Sequence, residues 1–144
     1  MDRKVARILT EEEMNTYDGP YYYISHHEIL KENSSTPCRI VFDTSAKFMN
    51  HCLNDYWAKG AKLVNNLIGV LLRFRENKIA ISGDIKKMYH AVKLSLMDQH
   101  THRFLWRNLE LHRKPDVYVM TSVSFGDRPA GNIAMAALRK TAEM

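Results

Sequence analysis

Cysteine is nearly absent. Cys38 and Cys52 are the only two in 144 residues. They lack the spacing and the histidine partners of a zinc site. They read as two reduced, partly buried thiols of an intracellular protein. Long apolar runs are lacking as well: none approaches the ~20 residues that a membrane span needs. Met1-Asp2-Arg3-Lys4-Val5-Ala6 carries no signal-peptide hydrophobic region. The expectation is an intracellular, cytoplasmic chain with no membrane partner. Internal repeats and low-complexity tracts are also missing, which argues against a solenoid or a linker-like chain.

What is present suits a packed fold. A hydrophobic share of 45% is ordinary for a globular protein, and 144 residues are room for one modest domain or a piece of a larger one. Formal net charge is +5, so an acidic partner is plausible. The charge is uneven. Residues 1–60 hold seven Lys/Arg and nine Asp/Glu, whereas residues 61–144 hold 14 and 7. A polyanion is drawn to the later part first.

Local patterns predict mixed elements. Thr10 is a fair N-cap with Glu13 at capping-box spacing, so a short helix is expected over about 10–16. Asp18-Gly19-Pro20 then breaks the chain. Residues 21–24, 28–31 and 38–43 are rich in aromatic and β-branched side chains and read as extended. The polar turn 31–37 joins the latter two into a hairpin with a basic residue on each arm, Lys31 and Arg39. A turn of helix is expected near Asn54–Trp57. Apolar residues at 63, 64, 67, 68, 71 and 74 follow the 3.6-residue period of a helix. Strands are expected over 78–83, 103–107 and 117–123. A last helix is expected from about Pro129 to Ala142. Strands and helices do not alternate strictly, which favours an α+β fold.

One stretch stands out: Ser82-Gly83-Asp84-Ile85-Lys86-Lys87-Met88-Tyr89. A carboxylate at a strand end, with an aromatic five positions on, is a layout that polymerases use. The carboxylate can hold a divalent metal, and the aromatic can form the floor under a nucleotide's sugar. Other pieces accompany it in order: Tyr-Ile-Ser-His-His-Glu-Ile at 23–29, Arg-Ile-Val-Phe-Asp-Thr-Ser-Ala at 39–46 and Leu-Asn-Asp at 53–55. Leu-Leu-Arg-Phe-Arg follows at 71–75, then Phe-Leu-Trp-Arg at 104–107 and Ser-Phe-Gly-Asp-Arg-Pro-Ala at 124–130. On these motifs the chain resembles the reverse transcriptase of BEL/Pao-type LTR retrotransposons, from about Tyr23 to the end.

The resemblance implies fingers followed by the first part of a right-hand palm. Residues 1–20 would be a helical lead-in and residues 21–144 the reverse-transcriptase segment. It implies template-directed nucleotidyl transfer with two Mg²⁺ ions, on an RNA or DNA template-primer with dNTP. Carried over by motif, Asp84 would be the first metal-binding carboxylate and the Ile85 carbonyl a further metal oxygen. Tyr89 would be the steric gate against a ribose 2′-hydroxyl. Lys31 and Arg39 would hold the triphosphate, and Phe125 and Gly126 would begin the motif along template and nucleotide. The family's Tyr-x-Asp-Asp hairpin has no counterpart in the 144 residues, which contain no Asp-Asp pair. The thumb and RNase H regions have none either. The chain is therefore expected to be inactive alone, or to be a non-catalytic nucleic-acid-binding remnant. The family often has Ala-Pro after the motif glycine; here Asp127-Arg128-Pro129 follows Gly126.

Plain alternatives stand beside these roles. Taken alone, Asp84 reads as a turn or cap carboxylate, and Tyr89 as a core side chain. His100 and His102, two apart on an expected strand, would face the same side, but no nearby cysteine or carboxylate cluster completes a metal set. Trp57 and Trp106 read as packing residues. Lys47 and Arg103 receive no role.

Overall fold

The computed structural model describes residues 5–32 and 37–144. The fold is mixed α+β with two small antiparallel sheets. In chain order the elements are β1 (Ala6–Ile8), α1 (Glu11–Thr16), β2 (Ser25–Leu30), β3 (Cys38–Asp43), a 3₁₀ turn (Leu53–Asp55) and α2 (Leu67–Phe74). Then come α3 (Met88–Ala91), α4 (Leu96–His100), β4 (Arg103–Trp106), β5 (Asp116–Met120) and α5 (Ala130–Ala142).

The capping box predicts α1 correctly. The Thr10 hydroxyl accepts from the Glu13 amide at 3.1 Å, and Glu13 accepts from the Thr10 amide at 3.0 Å. Two orphan donors of the first turn are thereby satisfied. Arg7 on β1 adds an ion pair to Glu13 at 2.8 Å. The hairpin also forms as expected, with β2 and β3 in register from Ser25 opposite Asp43 to Leu30 opposite Cys38. The predicted turn falls mostly outside the described residues; at its base the Lys31 amide donates to the Pro37 carbonyl at 2.8 Å.

The second sheet runs β1-β5-β4. β1 lies within the expected helical lead-in and pairs with β5 through Ala6–Met120, Arg7–Val119 and Ile8–Tyr118. The hairpin's stem joins this sheet at β4, where the Ile24 amide donates to the Arg103 carbonyl at 2.7 Å and the Arg103 amide to the Tyr22 carbonyl at 3.0 Å. Phe104 packs between Phe42 of the hairpin, with ring centroids 4.8 Å apart, and Tyr118 of the sheet, at 5.5 Å. Leu9, Ile24, Cys52, Leu53, Val119, Met120, Val123, Ala130 and Ala134 complete the buried apolar set among the described residues.

Three expectations need correction. The helix begins at Leu67 rather than Leu63, because the Asn66 side chain caps the amides of Ile68 and Gly69. The strand expected over 78–83 does not form: these residues are irregular and exposed, and they belong to neither sheet of the described residues. An extended apolar run becomes a strand only when a neighbour takes its backbone hydrogen bonds. Strand β5 likewise stops at Met120, short of 123, where Ser122 makes only an isolated bridge to Lys93. No helix among the described residues is long and apolar enough to cross a membrane.

Candidate functional site

Residues 92–94 are stitched to 121–123. The Leu94 amide donates to the Thr121 carbonyl at 3.1 Å, and the Val123 amide to the Val92 carbonyl at 3.0 Å. This places the end of α3 beside the loop that follows β5. As a result Tyr89 and Phe125 meet, with centroids 4.4 Å apart and planes tilted by 57°. His90 approaches Phe125 from its other neighbour position, edge-on at 6.1 Å. Burial, then the charges of Lys87 and Lys93, lower the His90 pKa, which favours the neutral ring. On α5, Gly131 faces the Tyr89 hydroxyl, where a Cβ would be in ordinary contact at 4.0 Å.

The loop carrying Phe125, Gly126 and Asp127 is held from three directions. Gly126 has φ +99°, and a Cβ there would lie 3.2 Å from the Phe42 carbonyl and 3.3 Å from Thr44 Oγ1. Glycine is thus required both by conformation and by the close approach of the hairpin. Asn54 is the second hold. Its Nδ2 group lies 2.9 Å from the Gly126 carbonyl, 3.1 Å from Thr44 Oγ1 and 3.0 Å from Ser45 Oγ as donor, and its Oδ1 accepts from the Arg128 amide at 2.8 Å. The third is a buried pair, His102 Nε2 and Asp127 Oδ2 at 3.0 Å, with side chains only 2% and 5% exposed. Burial opposes the imidazolium, but the hydrogen bond and charge of Asp127, with the Asp98 carbonyl, outweigh it and raise the His102 pKa.

The residues assigned by motif are therefore distributed. Tyr89, Phe125 and Gly126 come together in one small cluster. Asp84 lies in the irregular stretch before α3 and is exposed; no hydrogen bond or ion pair among the described residues reaches it. Ile85 is exposed beside it. Lys31 and Arg39 are exposed at the outer part of the hairpin, Arg39 opposite Ile29. At ~3.3 Å per residue, Arg39 sits about 10 Å along β3 from the Phe42 carbonyl that touches the Gly126 loop. The structure brings neither basic residue into contact with Asp84 or Tyr89.

No group of three or more His, Cys, Asp or Glu that could hold a metal exists among the described residues. Mg²⁺ demands near-octahedral oxygen coordination. One carboxylate and one backbone carbonyl fall short of that, so the described donors do not by themselves fit a two-metal centre. His100 and His102 serve different partners, because His100 ends α4 and His102 lies in the turn before β4. His100 stacks on Tyr17 at 3.6 Å and pairs through Nδ1 with Arg103 Nη2 at 2.8 Å, whereas His102 goes to Asp127. Cys38 is exposed, and Cys52 is buried and free.

Sequence reasoning gave no role to Asn54, His102 or Arg103. Asn54 had a signal: a polar residue directly after the apolar pair Cys52-Leu53, both buried, inside a quoted motif. The His102–Asp127 pair had none, since its members come from different elements. No protein-family model matches the chain, and no curated protein matches it.

Proposed function

We propose that this chain is a segment of a BEL/Pao-type reverse transcriptase, comprising fingers and the first part of the palm. The observation that carries the reading is the contact between Tyr89 and Phe125 at 4.4 Å. It joins two motifs that a nucleotide site needs on the same side: a ring under the sugar and a loop along template and nucleotide. Gly126 keeps the backbone at that loop free of a side chain, and Asn54, Thr44 and the buried His102–Asp127 pair hold its shape. In this reading Tyr89 excludes a 2′-hydroxyl by bulk, Phe125 and Gly126 position template and nucleotide, and Lys31 and Arg39 neutralise the triphosphate. Asp84 supplies one carboxylate of a metal centre whose other acidic ligands are not among the described residues. Placement and charge are the protein's main contribution to such a transfer.

The test is made in a complete polymerase containing this segment. Asp84→Asn is expected to abolish metal-dependent incorporation on a primed RNA template, and retained activity refutes the assignment. Tyr89→Ala is expected to admit ribonucleotides, so unchanged sugar selectivity removes the gate. The 144-residue chain alone is expected to show no incorporation.

A second reading, a non-catalytic nucleic-acid-binding module, is favoured by one specific observation. The excess of basic residues is confined to 61–144. Binding through phosphates makes log K fall with log salt, whereas a protein with no nucleic-acid role shows no such dependence.

A further inference from the structure

The loop after β5 has buried ends and an open tip. Ser124 and Asp127 are 3% and 9% exposed, whereas Phe125 between them is 59% exposed. The buried carboxylate of Asp127 has little support. Oδ2 accepts from His102 Nε2 at 3.0 Å and from the Ser124 amide at 3.4 Å, and Oδ1 is buried with no hydrogen-bond partner. A buried carboxylate with so few donors depends on an opposite charge beside it.

His102 is the group that supplies the charge. Its ring lies between two acceptors, with Asp127 Oδ2 at Nε2 and the Asp98 carbonyl 2.9 Å from Nδ1. The imidazolium donates to both, and the neutral ring to only one. Of the elements packed around it, α4 brings Asp98 and the loop brings Asp127, both of which favour the proton. Thr101, 3.0 Å from Nδ1, and Trp57, whose ring lies 6.0 Å away, carry no charge. Arg103 directs its guanidinium to His100 and Tyr21 instead. Burial opposes the charged ring, and the hydrogen bond and charge of Asp127 outweigh it.

We propose that His102 and Asp127 form a proton-controlled latch on the Phe125–Gly126 loop: the charged pair seats the loop, and discharge of His102 releases it while the sheet behind stays folded. Release frees Phe125 from its contact with Tyr89 at 4.4 Å. The bonds from Asn54 to the Gly126 carbonyl and the Arg128 amide are neutral and do not titrate. They keep the released loop near its seat, so the event is a local opening. The sign follows from the proton count. The seated loop holds one proton more than the released one. Opening is therefore rarest below the ordinary histidine value of 6.5 and increases as pH rises through the raised value of the seated state. The latch requires neither Asp84 nor a metal. Its bearing on nucleotide placement rests on the function proposed above.

The experiment is amide hydrogen exchange of the 144-residue chain by NMR over a pH series, each rate corrected for the intrinsic base-catalysed rate. The Ser124 and Arg128 amides, which donate to Asp127 and Asn54, report on the loop, and the β5 amides on the sheet. The opening constant of the loop amides is expected to rise by up to about 10-fold per pH unit, the slope of one released proton, and then to level off. The rise should coincide with the titration of the His102 ring in the same samples. At every pH the loop should open at least about 10-fold more often than β5, as a local opening requires. His102→Gln can still donate to Asp127 but carries no charge, so its loop opening should be independent of pH. A pH-independent opening in the wild type overturns the latch. Equal opening of loop and β5 overturns it as well, because the loop would then open only by global unfolding. So does a pH dependence that survives in His102→Gln. Should that variant fail to fold, the wild-type series and the ring titration decide by themselves. Incorporation assays at Asp84 decide the polymerase reading separately.

Discussion

Asp127→Asn should destabilise the chain strongly at acidic pH and much less at alkaline pH. The reason lies in the acceptors around His102. Nδ1 lies 2.9 Å from the Asp98 carbonyl and Nε2 lies 3.0 Å from Asp127 Oδ2. A neutral imidazole has one N–H, so one ring nitrogen would face an acceptor with a lone pair. The Thr101 hydroxyl, 3.0 Å from Nδ1, already donates to the Asp98 carbonyl at 2.8 Å. Only the imidazolium donates to both sides. The folded pKa is accordingly raised above the usual 6.5, burial being outweighed by Asp127 and Asp98. A raised histidine pKa gives stability that is fully present below the unfolded value and is lost as pH rises through the folded one. Removing one partner of a buried pair costs about 3–5 kcal/mol. The lower end applies here, because His102 can discharge when its partner is lost. About 3 kcal/mol corresponds to a fall in Tm of about 10 °C for a chain of this size. Thermal unfolding by circular dichroism at pH values on either side of the transition, for wild type, Asp127→Asn, His102→Gln and the double variant, measures the coupling. An equal cost at both pH values, or a coupling under ~1 kcal/mol, refutes the charged-pair argument. The pair is not a strong net stabiliser, because Asp127 Oδ1 is buried without a hydrogen-bond partner. A well-packed apolar replacement of both residues could match it.

Four further predictions concern the same scaffold. Asn54→Ala removes the side chain that ties Thr44, Ser45, Gly126 and Arg128 together; a loss of about 2 kcal/mol in urea unfolding is expected, and a loss below ~0.5 would mean that water replaces it freely. Gly126→Ala places a Cβ 3.2 Å from the Phe42 carbonyl at φ +99°, so a cost above ~1 kcal/mol is expected, and a stabilised variant would contradict that backbone. Thr10→Ala should cost about 1 kcal/mol. Glu13, held down to about 2 by hydrogen bonds from Arg7 and the Thr10 amide, contributes stability above the unfolded value of 4.5 that is lost as pH falls through about 2. Glu13→Gln should therefore flatten acid unfolding over that window, and an NMR titration midpoint near 4.5 in the wild type would rule this out.

What the sequence made legible was local. The Thr10 cap and α5 depend on residues within a few positions of one another, and the hairpin on partners 8 to 18 positions apart. β1 was not legible, because three residues, Ala6–Ile8, become a strand only through β5, more than a hundred positions later. Helices α3 and α4 are too short for periodicity to reveal. In the candidate site, motif order pointed to Tyr89, Phe125 and Gly126 and the fold joins them. The Asn54 and His102–Asp127 supports depend on contacts that no spacing rule encodes.

The overreading of 63–83 has a single physical cause that bears on Asp84. Apolar periodicity tells which face of a helix or strand would be buried, but not what it is buried against. Every residue from 64 to 87 is exposed, including Leu67, Ile68, Leu71, Ile79 and Ile81. The hydrophobic pattern is present and its described neighbours are not. Asp84 sits near the end of this stretch, so packing fixes its position less than it fixes Tyr89, whose ring lies against Phe125 with centroids 4.4 Å apart. A carboxylate can serve a metal only when held within about half an ångström of its working place.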